Sequence, residues 1–460
     1  MKNVLLVPEL RELLAEGNAE SLREFCGATH PAFIAEFLSG LTTEEIHQIL
    51  SYADRRARAE IFSYLDSEIQ LALASSLQRP ELVELISNMS HDERVDLIKR
   101  MPEAETQIIM PAIAQVERED IRKLASYPEG TAGAVMTSDY ATLSPDLTVE
   151  EAIRKLRLEA PDKETIYYAY VVDDQRRLIG FVSLKDLILA RSFKRVGEVM
   201  HSDVISARLD EDQEEVARKI EKYDLLAIPI INGGGALVGI VTHDDAMDII
   251  REEQTEDIEK FMGLTGEVQD ENYLAVPATA HFRRRAFWAV TLALLGLISG
   301  AVLEMFEDTL TSVFILAFYL PMLIGTGGNT GSQAATVVVR ALALRQIRPG
   351  NIFEVVWKEL RVSLMLSMAL ILVALIRVFL FSPAPGPTTG GFSLIEISTV
   401  VALALGLQVI SATLIGALLP ILASKAKIDP AVVASPALAT SVDITGMLIY
   451  FGLAKLMLGI

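Results

Sequence analysis

Hydrophobic and polar positions follow three different patterns along the chain. Residues 1–130 place apolar side chains at helical spacing, often preceded by acidic residues. From about residue 135, short apolar runs alternate with amphipathic segments, and beyond residue 285 long charge-free runs dominate. The patterns predict a multidomain fold with an all-α superhelical N-terminal domain, a central pair of α/β units and an α-helical transmembrane domain.

A weak internal repeat suggests how the N-terminal helices are arranged. FIAEFLSGLTTEEIHQIL (33–50) resembles ELVELISNMSHDERVDLI (81–98), which follows 48 residues later. Helix pairs that repeat in this way stack into a small superhelix. An ordinary helical bundle is the alternative, and both interpretations assign residues 1–130 to an acidic all-α domain.

A clearer repeat covers the middle of the chain. VVDDQRRLIGFVS (171–183) aligns without gaps on IINGGGALVGIVT (230–242), and Val-Met precedes each copy. Each copy has the order strand, helix, strand, strand, helix, which predicts two βαββα units at 131–198 and 199–254. This order, with LIGFVSLKDL and LVGIVTHDDA, resembles the tandem cystathionine-beta-synthase (CBS) domain pair, which implies a regulatory sensor.

Long apolar runs after residue 285 predict five transmembrane helices. These runs are 286–303, 309–339, 362–376, 397–424 and 430–442. Basic residues concentrate at 283–285, in the loop 340–361 and at 425–427, whereas the loop 382–393 is uncharged. Because basic loops stay in the cytosol, we expect residues 1–285 inside the cell and the C-terminus outside. The start of the chain lacks the pattern of a signal peptide, so no cleaved leader is expected.

Composition and missing motifs exclude several classes of protein. The net charge of −20 lies almost entirely before residue 286, and such an acidic chain would repel nucleic acid. Cys26 is the single cysteine and cannot form an internal disulfide. The sequence contains no phosphate-binding loop, zinc-binding HExxH helix or GxSxG nucleophile motif, so we do not expect an enzyme.

Asp443 is the most informative residue of the membrane part. It lies well inside the run ATSVDITGMLIYFG, where a carboxylate is unfavourable by several kcal/mol unless it faces water, a cation or a partner. This position indicates an ion pathway. The alternative is an interfacial aspartate near the end of its helix, since Asp429 and Lys427 lie only about four turns away.

A second unusual membrane segment is LPMLIGTGGNTGSQAATVVVR (320–340), in which glycines and polar residues interrupt an apolar run. We expect this segment, together with Pro321, Pro420 and Pro436, to break helices and to leave carbonyl groups facing a cavity. Carbonyl and amide oxygens there would suit a hard cation. Alternatively, the small residues serve only to let helices pack closely.

GGNTGSQAATVVVRALAL and KIDPAVVASPALATSVDITGMLIYF, placed after an acidic helical domain and a CBS pair, resemble the MgtE family of magnesium channels. The resemblance implies a homodimer in the plasma membrane of a prokaryote, with a pore along the two-fold axis that conducts Mg²⁺. It implies that Asp443 forms the selective ion site, with Gly328, Asn329 and Ser332 beside it. Some relatives carry a second asparagine at the position of Ser332.

The acidic segment HDDAMDIIREEQTEDIEKFM (243–262) places carboxylates three and four residues apart, on one helical face. Such a face is either simply solvated or approaches another acidic surface only when cations screen both. The resemblance implies the second interpretation, in which intracellular Mg²⁺ closes the channel through a connecting (plug) helix at 255–285. The implied regulatory positions are Glu60, Asp92, Asp224, Asp245, Asp248, Glu253, Glu256 and Asp257.

Other interpretations remain open from the residues alone. The strand-to-helix turns of the CBS pair could hold an adenine nucleotide; their residues are Ser183, Lys185, Asp186, Thr242 and Asp244. The transported ion could instead be Co²⁺, Mn²⁺ or Ca²⁺, and a channel is not distinguished from a coupled carrier. From a different class, the chain could be a membrane-anchored nucleotide sensor that transports nothing.

Overall fold

The computed structural model describes residues 6–265, 273, 276–381 and 387–460. The chain forms two compact units, which divide between Glu253 and Gln254. Part of the expected connecting helix, residues 266–272 and 274–275, lies outside the described residues, as does 382–386 of the uncharged loop.

Ten short helices form the N-terminal part of the first unit, and each begins 12 residues after the previous one. They are α1 (Val7–Glu16), α2 (Ala19–Ala28), α3 (Pro31–Leu38), α4 (Thr43–Leu50), α5 (Arg55–Ser63), α6 (Ser67–Ser76), α7 (Arg79–Ser87), α8 (His91–Arg100), α9 (Glu103–Ile109) and α10 (Gln115–Ala125). A helix packs on the next but one, as α3 does on α5 and α5 on α7. The predicted superhelix is confirmed, and its 48-residue sequence match spans four of these shorter steps.

Polar side chains at the fourth position of several helices donate hydrogen bonds to backbone carbonyl groups in the short turns between helices. Each donates a hydrogen bond to the backbone carbonyl eight residues earlier, at the end of the preceding helix. The donors are Arg58 to Leu50 at 3.0 Å, Gln70 to Phe62 at 3.0 Å, Arg94 to Ile86 at 2.8 Å and Thr106 to Ile98 at 3.5 Å. Carbonyls at a helix end lack the donor that a continuing helix would supply, and these side chains supplement the backbone hydrogen bonds that Leu50, Phe62 and Ile86 also accept.

The two predicted βαββα units are confirmed. The first contains α11 (Ala132–Val135), β1 (Tyr140–Leu143), α12 (Val149–Glu159), β2 (Thr165–Val172), β3 (Leu178–Ser183) and α13 (Leu184–Leu189). The second contains α14 (Val196–Val199), β4 (Ala207–Arg208), α15 (Gln213–Tyr223), β5 (Ala227–Ile231), β6 (Leu237–Thr242) and α16 (His243–Phe261). In each sheet the first two strands are parallel and the last two antiparallel.

Each CBS unit also pairs with the segment between the first helix and the first strand of the other unit. Thr137 bridges Ile240 of β6, and His201 bridges Phe181 of β3. Buried Tyr140 and Tyr170 of the first sheet pack with residues of the second in one apolar cluster. The two CBS units therefore pack against each other as a pseudo-symmetric pair.

Among the described residues after α16, the second unit has five long α-helices and one short one. They are α17 (Ala278–Glu304), α18 (Glu307–Ser312), α19 (Leu320–Ala343), α20 (Ile352–Phe381), α21 (Leu394–Lys425) and α22 (Pro430–Leu458). Among the described residues, four helical segments are long and apolar enough to cross a membrane: Ala278–Glu304, Pro349–Leu380, Leu394–Lys425 and Ala437–Leu458. The remaining long helix, α19, carries the glycine-rich segment and packs between α21 and α22.

The expected helix breaks are wrong. Helix α19 is continuous from Leu320 to Ala343, with Pro321 in its first turn, where a missing N–H does no harm. Helix α21 continues past Pro420, and α22 runs unbroken from Pro430 to Leu458. The glycines serve close packing instead, because a methyl group on Gly331 would lie 3.1 Å from the Ala412 carbonyl oxygen.

Candidate functional site

The first candidate site surrounds Asp443, near the middle of α22. Its neighbour Val442 is fully buried against α19, and a methyl group on Gly327 or Gly331 would lie 3.0 or 3.4 Å from the Val442 side chain. Asp443 is half-buried and follows this packing contact directly along α22. The close approach of α19 therefore holds the carboxylate at the level of the glycine-rich segment.

The other predicted pore residues lie on the outer face of α19. Its inner face, which includes Gly327, Thr330 and Gly331, is buried. Asn329 and Ser332 are exposed and Gly328 is half-buried, so within one chain no helix of the described residues covers the Asn329 and Ser332 side chains. A stripe of polar side chains is thus left uncovered on α19, level with Asp443.

The end of α16 is fastened to the membrane helices of the same unit. Lys260 Nζ lies 2.7 Å from Glu256 and 3.2 Å from Asp429, which caps the start of α22. Arg284 of α17 pairs with Glu259. The last residue, Phe261, packs against an apolar cluster that includes Val442. A displacement of α16 would therefore reach the backbone next to Asp443.

A second candidate site lies in the first unit, where the starts of α8 and α16 meet. Asp92 and Glu93 occupy the first turn of α8, and Asp244 and Asp245 occupy that of α16. Each pair suits the positive end of its own helix, but the four carboxylates together repel one another. Burial, and then the charge of Asp92, raises the pKa of Asp245 to about 7. Burial, together with the smaller effect of the negative charges of Asp92 and Asp96, raises the pKa of Glu93 to about 8.

Asp92 carries the clearest sign that this cluster is suited to a cation. Its Oδ1 atom is buried and accepts no hydrogen bond from any described residue. Burial, with the charge of Asp244, also raises the pKa of Asp92. A buried carboxylate oxygen without a partner is unfavourable, and a divalent cation would supply the missing charge. Among the described residues, no group of three or more His, Cys, Asp or Glu side chains is arranged to hold a metal ion.

His91 joins the N-terminal helices to the first CBS unit beside this cluster. Its Nδ1 lies 2.8 Å from Asp120 of α10, and its Nε2 lies 3.1 Å from Asp139, just before β1. Ser138 donates a hydrogen bond to the Asp120 carboxylate at 2.9 Å. These contacts fix the orientation of the first turn of α8 relative to the CBS pair.

The structure brings only some of the predicted regulatory residues to the cluster. Asp92 and Asp245 lie in it, and Glu60 is exposed nearby, where it pairs with Arg56 at 3.2 Å. The others are distributed along other surfaces. Asp224 ends α15 in a left-handed conformation, Asp248 pairs with Arg251, Glu253 accepts from Gln213, Glu256 pairs with Lys260, and Asp257 lies further along α16.

The predicted nucleotide-binding turns are held by capping boxes. Asp186 accepts hydrogen bonds from Ser183 and lies 3.2 Å from His201, and Asp245 accepts from Thr242 in the same way. Lys185 and Asp244 are exposed beside these turns. A polar cavity of about 350 Å³ lies elsewhere, next to β1, and is lined by Ser138, Tyr140, Thr142, Glu159, Lys163 and Arg176. Nucleotide binding at the turns stays a prediction.

Sequence reasoning missed several members of the acidic cluster. Glu93 and Asp96 adjoin Asp92 in the acidic stretch HDERVD and could have been found from that stretch. Glu164, whose charge also bears on Asp92 and Asp245, comes from the start of β2, and only the fold brings it there. His91 and its two aspartates likewise come from separate elements.

Comparisons with known proteins bear on both sites. Residues 320–453 match the MgtE family described as a divalent cation transporter, and residues 29–130 match its intracellular N domain. The CBS domain family matches 132–192 and 196–252.

Two curated relatives and one solved structure are similar over large parts of the chain. The magnesium transporter MgtE of Thermus thermophilus is 42% identical over 341 residues, which cover 74% of this chain and 73% of the relative. The magnesium transporter MgtE of Bacillus subtilis is 38% identical over 339 residues, covering 74% and 72%. The solved soluble part of a magnesium transporter is 30% identical with a TM-score of 0.52, and the match covers 54% of this chain and 97% of that one.

Proposed function

This chain belongs to the MgtE family of magnesium transporters, and from that premise we propose that it carries Mg²⁺ into the cell through a pore built around Asp443. The observation that carries the proposal is the half-buried carboxylate in the middle of a membrane helix, level with the polar face of α19. A membrane anchor for a sensor needs neither feature. The relatives are named as transporters, and no enzymatic role is proposed.

The chemistry of Mg²⁺ suits such a site. This ion gives up its water ligands reluctantly, so a wide site can hold it through water-mediated hydrogen bonds to a carboxylate. Asn329 and Ser332 would add polar groups to the wall of the pathway, and Gly328 leaves room for the hydrated ion. Co²⁺, Mn²⁺ and Ca²⁺ are the alternative substrates.

We propose that two copies of the chain form the pore. The polar face of α19 is uncovered within one chain, which is unfavourable in lipid unless a partner or water covers it. A two-fold axis next to this face would bring two Asp443 carboxylates to one divalent ion and balance its charge. In this arrangement residues 286–460 cross the plasma membrane five times, with α19 lining the pore, residues 1–285 in the cytosol and the C-terminus outside.

The acidic cluster supports a proposal for regulation by intracellular Mg²⁺. Cations bound between α8 and α16 would relieve the repulsion among Asp92, Glu93 and Asp245 and so favour the packed arrangement described above. We assign that arrangement to the closed channel. When cytosolic Mg²⁺ falls, the carboxylates repel, α16 moves, and its contacts at Lys260 and Phe261 transmit the movement to α22. The remaining acids of α16 would bind further ions at its surface.

An adenine nucleotide at the CBS pair is a separate proposal. The feature that favours it is the exposed Lys185, next to the Ser183 turn, where it could approach a phosphate group. Binding of a fluorescent ATP analogue to the purified protein tests it, with Lys185→Gln as the variant and Lys455→Gln as the control. Equal binding by parent and Lys185→Gln would remove this site from consideration.

The transport proposal is tested with the full-length protein in liposomes that contain a Mg²⁺-sensitive dye. The internal Mg²⁺ concentration is preset low or high, and an inside-negative potential drives entry. We expect influx at low internal Mg²⁺ that stops at high internal Mg²⁺. Absence of influx in both conditions would favour the anchored-sensor alternative. Influx of equal size at low and high internal Mg²⁺ would contradict the proposed regulation but not the proposed transport.

A further inference from the structure

We infer that Gln408 is a positioning residue that sets the place of the Asp443 carboxylate and thereby the ion selectivity of the pore. Gln408 lies near the middle of α21, and its side chain is completely buried. Its Nε2 donates a hydrogen bond of 2.9 Å to the backbone carbonyl of Val442, the residue before Asp443. This inference rests on the proposed role of Asp443.

The Gln408 amide joins α21 to α22 by a polar contact within an otherwise apolar interface. The carbonyl oxygen of Val442 has two lone pairs, so it can accept from Gln408 as well as from its own helix. The Ser411 hydroxyl on α21 donates to the Gln408 backbone carbonyl at 3.0 Å and also lies 3.3 Å from Gln408 Oε1. The hydrogen bond to Val442 therefore ties the amide to the backbone of α22, next to the position that carries Asp443.

Two glycines, one on α22 and one on α19, make room for this amide. A methyl group on Gly446 of α22 would lie 2.6 Å from Nε2 and 2.8 Å from Cδ of Gln408. A methyl group on Gly327 of α19 would lie 3.1 Å from Cδ. Gln408 thus touches α19 and α22 together, at the level where Gly328 and Asn329 follow Gly327. Gln408 therefore lies between α19 and α22, beside the direct contact of Gly327 and Gly331 with Val442.

The expected consequence concerns selectivity more than folding. A site that holds hydrated Mg²⁺ depends on carboxylate positions, because the ordered octahedral water shell fixes where acceptors must lie. Ca²⁺ tolerates irregular geometry and sheds its water more readily. One hydrogen bond between membrane helices contributes little to stability, so its loss should leave the protein folded while displacing Asp443.

The variant Gln408→Leu keeps the size of the side chain and removes both polar atoms. In liposomes loaded with equal amounts of protein, we expect the ratio of initial Mg²⁺ influx to Ca²⁺ influx to fall about threefold or more. The matched control is Thr413→Val, which removes a buried hydroxyl that bonds only to Val409 in its own helix. A Gln408→Leu variant with the parent ratio would overturn the inference.

A second variant keeps the test decisive if Gln408→Leu does not fold. Gly446→Ala leaves Gln408 in place but pushes its amide away from Val442, and it should lower the same ratio. Gly452→Ala, on the same helix but with no atoms of the described residues within 4 Å of the added methyl, is its control. Equal ratios for the two alanine variants would contradict the inference.

The outcomes separate this inference from the proposed function. If Asp443→Asn transports like the parent, the pore assignment fails and Gln408 has no carboxylate to position. If Asp443→Asn loses transport while both Gln408→Leu and Gly446→Ala keep the parent ratio, the pore stands and the positioning role is wrong.

Discussion

Lys260 lies 3.2 Å from Asp429, and this ion pair joins the end of α16 to the residue that caps the helix carrying Asp443. Asp429 also accepts a hydrogen bond of 2.9 Å from the backbone of Ala431 and so caps α22. Lys260 is partly buried, and its hydrogen bonds to Glu256 and Asp429 raise its pKa against the effect of burial. The ion pair therefore connects the end of α16 directly to the start of α22.

Replacing Lys260 by glutamine should weaken the response to intracellular Mg²⁺. Because the pair favours the closed arrangement in our account, its loss should raise the internal Mg²⁺ concentration that half-inhibits influx by about two- to fivefold. Asp429→Asn should act similarly, since asparagine keeps the helix cap and removes the charge. Lys455→Gln, near the other end of α22, is the control. An unchanged half-inhibiting concentration in both test variants would exclude the link.

The raised pKa values in the acidic cluster predict how Mg²⁺ stabilisation depends on pH. Glu93 and Asp245 have pKa values of about 8 and about 7 in the folded protein, above the ordinary values of carboxyl groups. Their stabilising contribution is therefore complete below the unfolded-state pKa values and is lost as pH rises through 7 and 8.

Without Mg²⁺, the melting temperature of the cytosolic part in the full-length protein should fall between about pH 6 and about pH 9. Added Mg²⁺ should restore it, and the increase caused by Mg²⁺ should grow with pH because the ion replaces protons. Differential scanning fluorimetry in detergent measures this. A Mg²⁺ effect that is equally large at both ends of the pH range contradicts the assignment of the cluster as a cation site.

Residue patterns single out Asp443 as a candidate, and they find the acidic cluster only in part. A lone carboxylate in an apolar run is unusual wherever it lies in the fold, so its importance is visible from the sequence. Asp92 and Asp245 lie more than 150 residues apart, and their proximity depends on how α8 packs against the CBS pair. Glu164 carries no local signal at all.

The glycine-rich segment shows the limit of composition. The same residues favour a broken helix that exposes carbonyls and a continuous helix that packs closely. The contacts decide for the second interpretation, since Gly327 and Gly331 lie against Gln408, Val442 and Ala412. Neither Gln408 nor its contact with Val442 could be anticipated, because one glutamine in an apolar helix does not reveal which helix it faces.

The side-chain hydrogen bonds between successive N-terminal helices predict that removing one donor destabilises the domain. Arg94 is 3% exposed and donates to the carbonyls of Ile86 and Met89, at 2.8 and 2.9 Å. Arg94→Met should keep the apolar volume but remove both of these buried hydrogen bonds, which destabilises the domain by about 1–3 kcal/mol. The Ile86 carbonyl would keep its hydrogen bond of 3.3 Å from the Met89 backbone.

That loss corresponds to a melting temperature lower by several degrees, measured by differential scanning fluorimetry. Arg79→Met is the matched control, because Arg79 is exposed in the first turn of α7. If both variants melt at the parent temperature, the cap made by Arg94 does not contribute to stability.

The central claim is that Mg²⁺ passes Asp443, and Asp443→Asn in proteoliposomes tests it most directly. This variant keeps the shape of the side chain and removes one charge per chain. An interaction of about 4 kcal/mol per unit charge pair near 4 Å in a partly polar medium would then be lost. Asp308→Asn, an exposed acid at the start of α18, is the control. At low internal Mg²⁺, we predict that influx falls by about two orders of magnitude in Asp443→Asn and stays at the parent level in Asp308→Asn. Influx through Asp443→Asn at the parent rate would contradict the account.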